Sequence, residues 1–233
     1  MALPIVITCL VGVFCLAPVV IYLTWLAALN RRPRPTVLDG QSDFAALLAG
    51  LSGFILFGGG VLVAAVQSNA RIVGRGSWEQ IRAAWGQEQT AWLATAGGYL
   101  AVVIALATVG LLGRRRSVVV FNVDRHTVEA AVEDSLAASG LPADRQGNVW
   151  RVAGGTPSVT LDPAPGLRNV TVRFVTPDPR VAEELDRGIR LRLADAPGAD
   201  SAAAGWLLAV AVGLLTAVIL CLTLLASVIY HVV

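Results

Sequence analysis

Hydrophobic positions in this chain gather into four long runs, at residues 3–29, 44–66, 92–113 and 202–230. None of these runs holds Asp, Glu, Arg or His in its interior. Crossing a bilayer takes roughly 20 apolar residues at 1.5 Å each. The pattern therefore predicts four transmembrane helices. The first run is read as a retained helix and not a cleaved signal peptide. It has no positive charge before the apolar core and no small-residue cleavage site. Pro18 is expected to kink it, and Tyr22 and Trp25 fall near its end, at headgroup depth.

The polar stretches between the runs differ in kind. Asn30-Arg31-Arg32-Pro33-Arg34-Pro35 reads as a helix stop followed by a linker, because two prolines end the helix while the arginines sit at the lipid headgroups. Ser42 or Asp43 is the expected N-cap of the second helix. Residues 77–91 read as an interfacial helix that continues into the third span. Ser77 and Gln80 fit a capping box, and Trp78, Trp85 and Trp92 repeat every seven residues on one face. Membrane anchoring accounts for those tryptophans better than a stacking platform does.

Residues 117–196 change period altogether. Ser117–Val123 is a valine-rich strand. Asp124 opens a helix with the stripe Val128, Val132, Leu136, closed by Gly140. Short strands follow at 148–153 and 158–161, with turns at 154–157 and 163–166. A strand over 168–176 alternates Val170, Val172 and Phe174 against Thr171, Arg173 and Val175. Asp178-Pro179 starts a last helix with the stripe Val181, Leu185, Ile189, Leu193. The expected fold is thus a membrane all-α bundle with an inserted soluble α+β domain between spans three and four. Its order is β-α-β-β-β-α, a four-stranded ferredoxin-like sandwich with both helices on one face. Residues 1–116 form the membrane part with three spans, and 197–233 carry the fourth.

Composition supports the membrane reading: 55% of residues are hydrophobic, 15% are charged and mean hydropathy is +0.67. All 18 basic residues are arginine, which suggests a GC-rich bacterial genome. A net charge of +2 gives no case for nucleic acid. Arginine counts place Arg31, Arg32, Arg34, Arg114, Arg115 and Arg116 on the cytoplasmic side of a bacterial inner membrane, against Arg71, Arg75 and Arg82 outside. Residues 117–196 are then cytoplasmic and both termini face out. The triple arginine is first a topology signal, with an anionic-lipid clamp as its second reading.

Glycines mark where helices meet. Gly50, Gly53, Gly58, Gly59 and Gly60 in the second run, with Gly97 and Gly98 in the third, fit close helix packing. Unwinding of the triple glycine around a ligand is the competing idea. Catalytic chemistry finds no foothold. Cys9, Cys15 and Cys221 lie in apolar runs without CxxC spacing, and His126 and His231 are the only histidines. There is no Ser-His-Asp set, P-loop or GxGxxG motif. Neither cofactor nor metal is implied. The expected role is a non-catalytic membrane subunit or scaffold. It sits in the lipid bilayer, pairs with a protein partner or with copies of itself, and binds that partner through the α+β domain. A transporter or channel component with the domain as ligand sensor is the alternative.

Overall fold

The computed structural model describes residues 2–66, 78–152, 158–164, 168–176, 178–198 and 202–232, with the side chains at 2–4, 59–66, 78–89, 91–92, 202 and 231–232 left aside. The Ser77 capping box, Arg71, Arg75 and the turn at 154–157 lie outside the described residues, as do 165–166 of the following turn. Among the described residues four helices are long and apolar enough to cross a membrane, which marks the chain as a membrane protein. They are α1 (Ala2–Leu29), α2 (Gly40–Val66), α3 (Trp78–Gly113) and α6 (Ala202–Val232). Helix α1 runs unbroken through Pro18. Helix α3 joins the tryptophan-bearing segment and the third apolar run in one rod of 36 residues.

Contacts divide the chain into two compact units. One comprises Met1–Leu23, Leu47–Val109 and Val210–Val233, the other Thr24–Ala46 and Gly110–Ala209. In the first, α1 and α2 meet at glycine. A Cβ on Gly53 would fall 2.0 Å from the Phe14 carbonyl oxygen, and one on Gly50 would fall 2.7 Å from Tyr22 Cβ. Tyr99 of α3 donates its hydroxyl to the Ile55 carbonyl at 2.6 Å, satisfying a polar group that lipid could not.

The second unit is built on one antiparallel sheet. Its strands are β1 (Thr36–Asp39), β2 (Ser117–Phe121), β3 (Ala143–Gln146), β4 (Val149–Val152), β5 (Ser158–Ala164) and β6 (Asn169–Val175), in the spatial order β1-β2-β6-β5-β4-β3. Helices α4 (Arg125–Ala138) and α5 (Pro179–Ala194) pack on one face. The alternation expected of β6 holds: Val170, Val172 and Phe174 are buried against the helices, while Arg173 and Val175 are exposed. Val128, Val132 and Leu136 of α4 meet Leu185, Ile189 and Leu193 of α5 in the same core, together with Trp150. Burying each such side chain fully is worth about 1.5–3 kcal/mol. Gly140 closes α4 with φ +66°, and Asp178 caps α5 by accepting from the Arg180 amide at 2.9 Å.

Several expectations need correction. The sheet has six strands, not four. Residues 36–39, read as linker, pair with Val118–Phe121 as β1. That strand passes directly into α2, so the helix begins at Gly40 and neither Ser42 nor Asp43 is its cap. Gly40 fits there because a Cβ would lie 2.0 Å from Ser117 Oγ. The second addition is β3, joined to β4 by a two-residue turn at Gly147 (φ +65°) and Asn148. Strand β5 also runs on through Pro163 to Ala164. Between α3 and α6 the order is therefore β-α-β-β-β-β-α with every neighbouring pair antiparallel. This departs from the β-α-β-β-α-β order of a ferredoxin-like sandwich. The two-layer arrangement remains.

Candidate functional site: an arginine collar beside the sheet

The triple arginine sits where α3 ends and β2 begins, and the three side chains have three different fates. Arg114 lies 3.5 Å from the Asp43 carboxylate and stacks over the Phe44 ring, 4.9 Å from its centroid. Both partners belong to the first turns of α2, which are held against the last turns of α3. Gln41 donates to the Leu111 carbonyl at 3.1 Å, and the Phe44 ring packs where Gly110 has no side chain. Arg116 donates to the Thr176 carbonyl, while its own carbonyl accepts from the Phe174 amide at 2.8 Å. The Arg115 side chain is exposed and has no partner among the described residues.

A second set of bonds ties the neighbouring linkers to the end of β2. Buried Asn122 takes a left-handed backbone (φ 58°), which asparagine tolerates better than most residues. Its Nδ2 donates to the Arg32 carbonyl at 2.6 Å. The Gly198 amide donates to the Pro33 carbonyl at 3.0 Å, and a Cβ on Gly198 would lie 2.6 Å from that same oxygen. The chain leading away from α1 and the chain leading into α6 thus meet at one point on the sheet. The side chains of Arg31, Arg32 and Arg34 stay exposed beside it, unpaired among the described residues.

Two clefts flank the arginines. The first, of about 600 Å³, is lined by Leu112, Arg115, Arg116, Arg173 and Val175 among others, with no carboxylate. The second, of about 470 Å³, mixes Arg114–Arg116 with Asp39, Glu183 and Asp186. Sequence reasoning found the three collar arginines but missed Arg173, which only the register of β6 against β2 brings alongside them (Ser117 lies opposite Arg173).

Among the described residues one carboxylate is strongly buried, and it lies elsewhere. Glu129 of α4, with a side chain only 7% exposed, accepts from Arg125 Nε at 2.6 Å and faces Arg145 Nη2 at 2.7 Å. Burial pushes its carboxyl up, but the hydrogen bonds from the two arginines outweigh that and hold it below the ordinary range. Arg145 in turn stacks on Trp150, 4.9 Å from the ring centroid, and its Nη1 donates to Glu133 at 3.2 Å. His126 is exposed and lies 3.5 Å from the outer oxygen of Glu129. This cluster faces the helix layer and ties β3 to α4.

The remaining singled-out residues are placed as follows. Helix α2 is continuous through Gly58, Gly59 and Gly60, so the triple glycine does not unwind it. Gly58, Gly97 and Gly98 meet nothing within 4 Å, unlike Gly50 and Gly53. The surroundings of Gly59 and Gly60 and the side chains of Trp78, Trp85 and Trp92 lie outside the described residues. The three cysteines are free thiols. Among the described residues no three His, Cys, Asp or Glu side chains gather in a metal-binding group. Comparison with family models, with curated proteins and with solved structures finds no match to this chain.

Proposed function

We propose that this protein is a non-catalytic membrane subunit or scaffold whose α+β domain holds a protein partner at the cytoplasmic surface of a bacterial inner membrane. The observation that carries this reading is the stitching of the domain to the chain segments around it. Asn122 to Arg32, Gly198 to Pro33, Arg114 to Asp43 and Arg116 to β6 are four separate ties within one unit. These ties join the flanking segments and the domain in one compact unit, which presents a single folded surface to a partner.

The surface it presents is the sheet face opposite the helices. There Asp144, Arg151 and Ser158 stand side by side across β3, β4 and β5, and Val149 pairs with Thr160. Both outer strands are short and carry charge or follow proline, which discourages a partner from simply extending the sheet. The polar face, and not an edge, is therefore the contact surface in this reading. A photo-crosslinking residue placed at 151 or 160 in the full chain, in native lipid particles, tests it. A single protein species should be captured from both positions and not from exposed Arg187 on α5. Purification of the chain alone, with no adduct from either position, would sink the reading.

A further inference from the structure

The first cleft has a chemistry that the scaffold reading does not use. Three guanidinium groups line it, from Arg115, Arg116 and Arg173. The side chains of Arg115 and Arg173 are exposed and have no hydrogen-bond or ion-pair partner among the described residues. Arg116 commits one nitrogen to the Thr176 carbonyl and keeps its remaining donors. Elsewhere in this domain Arg190 pairs with Asp186 and Arg145 with Glu129. Among the described residues no carboxylate lines the cleft, so its guanidinium groups face it without a counter-charge there.

The walls say more about what that is. Leu112 and Val175 both line the cleft, and each is 49% exposed. Leu112 belongs to the last turn of an apolar helix segment, Leu93–Gly113, that is long enough to cross a bilayer. A site with cations and bare aliphatic side chains at the end of a membrane span matches an amphiphile. A phosphodiester accepts bidentate hydrogen bonds from arginine, and the adjoining glycerol and acyl carbons cover the leucine and valine. A volume of about 600 Å³ holds a glycerophosphate headgroup comfortably.

We propose that the cleft formed by Arg115, Arg116 and Arg173 with Leu112 and Val175 binds the phosphate of an anionic phospholipid from the adjacent leaflet. Arg173 is the residue that separates a built site from a general positive border. It comes from the folded domain and not from the span-flanking arginines, so topology alone does not explain its place. This inference needs the chain to be in a membrane; because Arg173 lies opposite Thr160 on the face assigned to the partner, lipid retention is read with no partner present.

The test is lipid retention by the full chain in nanodiscs of phosphatidylcholine mixed with phosphatidylglycerol, read by native mass spectrometry after extraction. Wild type should keep phosphatidylglycerol in preference to phosphatidylcholine. At about 1 kcal/mol per arginine near a membrane surface, Arg173→Gln and Arg115→Gln should each lower that preference about fivefold. Arg34→Gln removes an equally exposed border arginine away from the cleft and should leave it unchanged. Arg115 lies outside the sheet, so its variant keeps the test open if Arg173→Gln unfolds β6. Equal losses in all three variants would mean diffuse border attraction and overturn the site. Displacement of the lipid by glycerol 3-phosphate at millimolar concentration would overturn the lipid as occupant in favour of a soluble phosphate.

Discussion

Arg190 of α5 is the side chain that fastens β1 to the rest of the domain, and its removal has a calculable local effect. Its Nε lies 2.9 Å from the Asp186 carboxylate, which fixes the guanidinium; Nη1 donates to the Val37 carbonyl at 3.3 Å and Nη2 to Asp39 at 2.5 Å. Asp39 is 69% exposed, so that pair is worth at most about 1 kcal/mol. The bond to Val37, on a half-buried strand with a charged donor, adds about another 1 kcal/mol. Arg190→Ala should therefore weaken β1 docking by about 1–2 kcal/mol, a factor of roughly 5–30 in its opening equilibrium. Amide hydrogen exchange on the full chain in nanodiscs reads that opening directly. Peptides covering residues 36–39 should exchange faster by that factor, while those covering 170–174 stay unchanged. Arg187→Ala, on the same helix with no partner among the described residues, is the control. Unchanged exchange at 36–39 would refute the clamp. Equal acceleration at 170–174 would refute it too, because Arg190 would then support the whole domain and not this strand.

Two further outcomes follow from the geometry. The depressed Glu129 pKa means that its ionised form stabilises the domain fully above the unfolded value of about 4.3, and that this contribution fades as pH falls through the folded value; Glu129→Gln should flatten the drop in thermal midpoint between pH 6 and pH 3, and an identical slope in both proteins would contradict the assignment. Gly53→Val forces a side chain onto the Phe14 and Cys15 backbone and should cost about 1–3 kcal/mol in the membrane unit, whereas Gly58→Val, where nothing lies within 4 Å, should leave the thermal midpoint in detergent unchanged.

The spans were legible because lipid demands length and apolarity and little else. The two domain helices were legible because their stripes and caps are local signals. The strands that escaped notice fail for different reasons. Ala143–Gln146 lies at the sheet edge with three exposed residues, so it carries no alternation of apolar and polar positions. Its only local signal was the Gly147-Asn148 pair, a known two-residue hairpin turn. Thr36–Asp39 has no such signal at all: its partner lies across two membrane helices in sequence, and only the fold brings them together. Of the candidate site, Arg114–Arg116 stood out as a run of like charge, whereas Arg173 read simply as one outward residue of an alternating strand. What a run of charge does not reveal is which member is already neutralised. The Asp43 carboxylate answers that for Arg114; Arg116 spends one hydrogen bond on the Thr176 carbonyl and keeps its charge, and the Arg115 side chain has no partner among the described residues.

The late arrival of β1's partner also has a consequence in time. Asn122 follows Arg32 by 90 residues, and Arg190 follows Asp39 by 151. At about 5–20 residues per second of synthesis, residues 36–39 wait on the order of ten seconds before a strand and a clamp exist to receive them. During that interval α2 and α3 are synthesised. Closure of the sheet over β1 thus cannot precede synthesis of β2, which follows all of α2 and α3 in the chain.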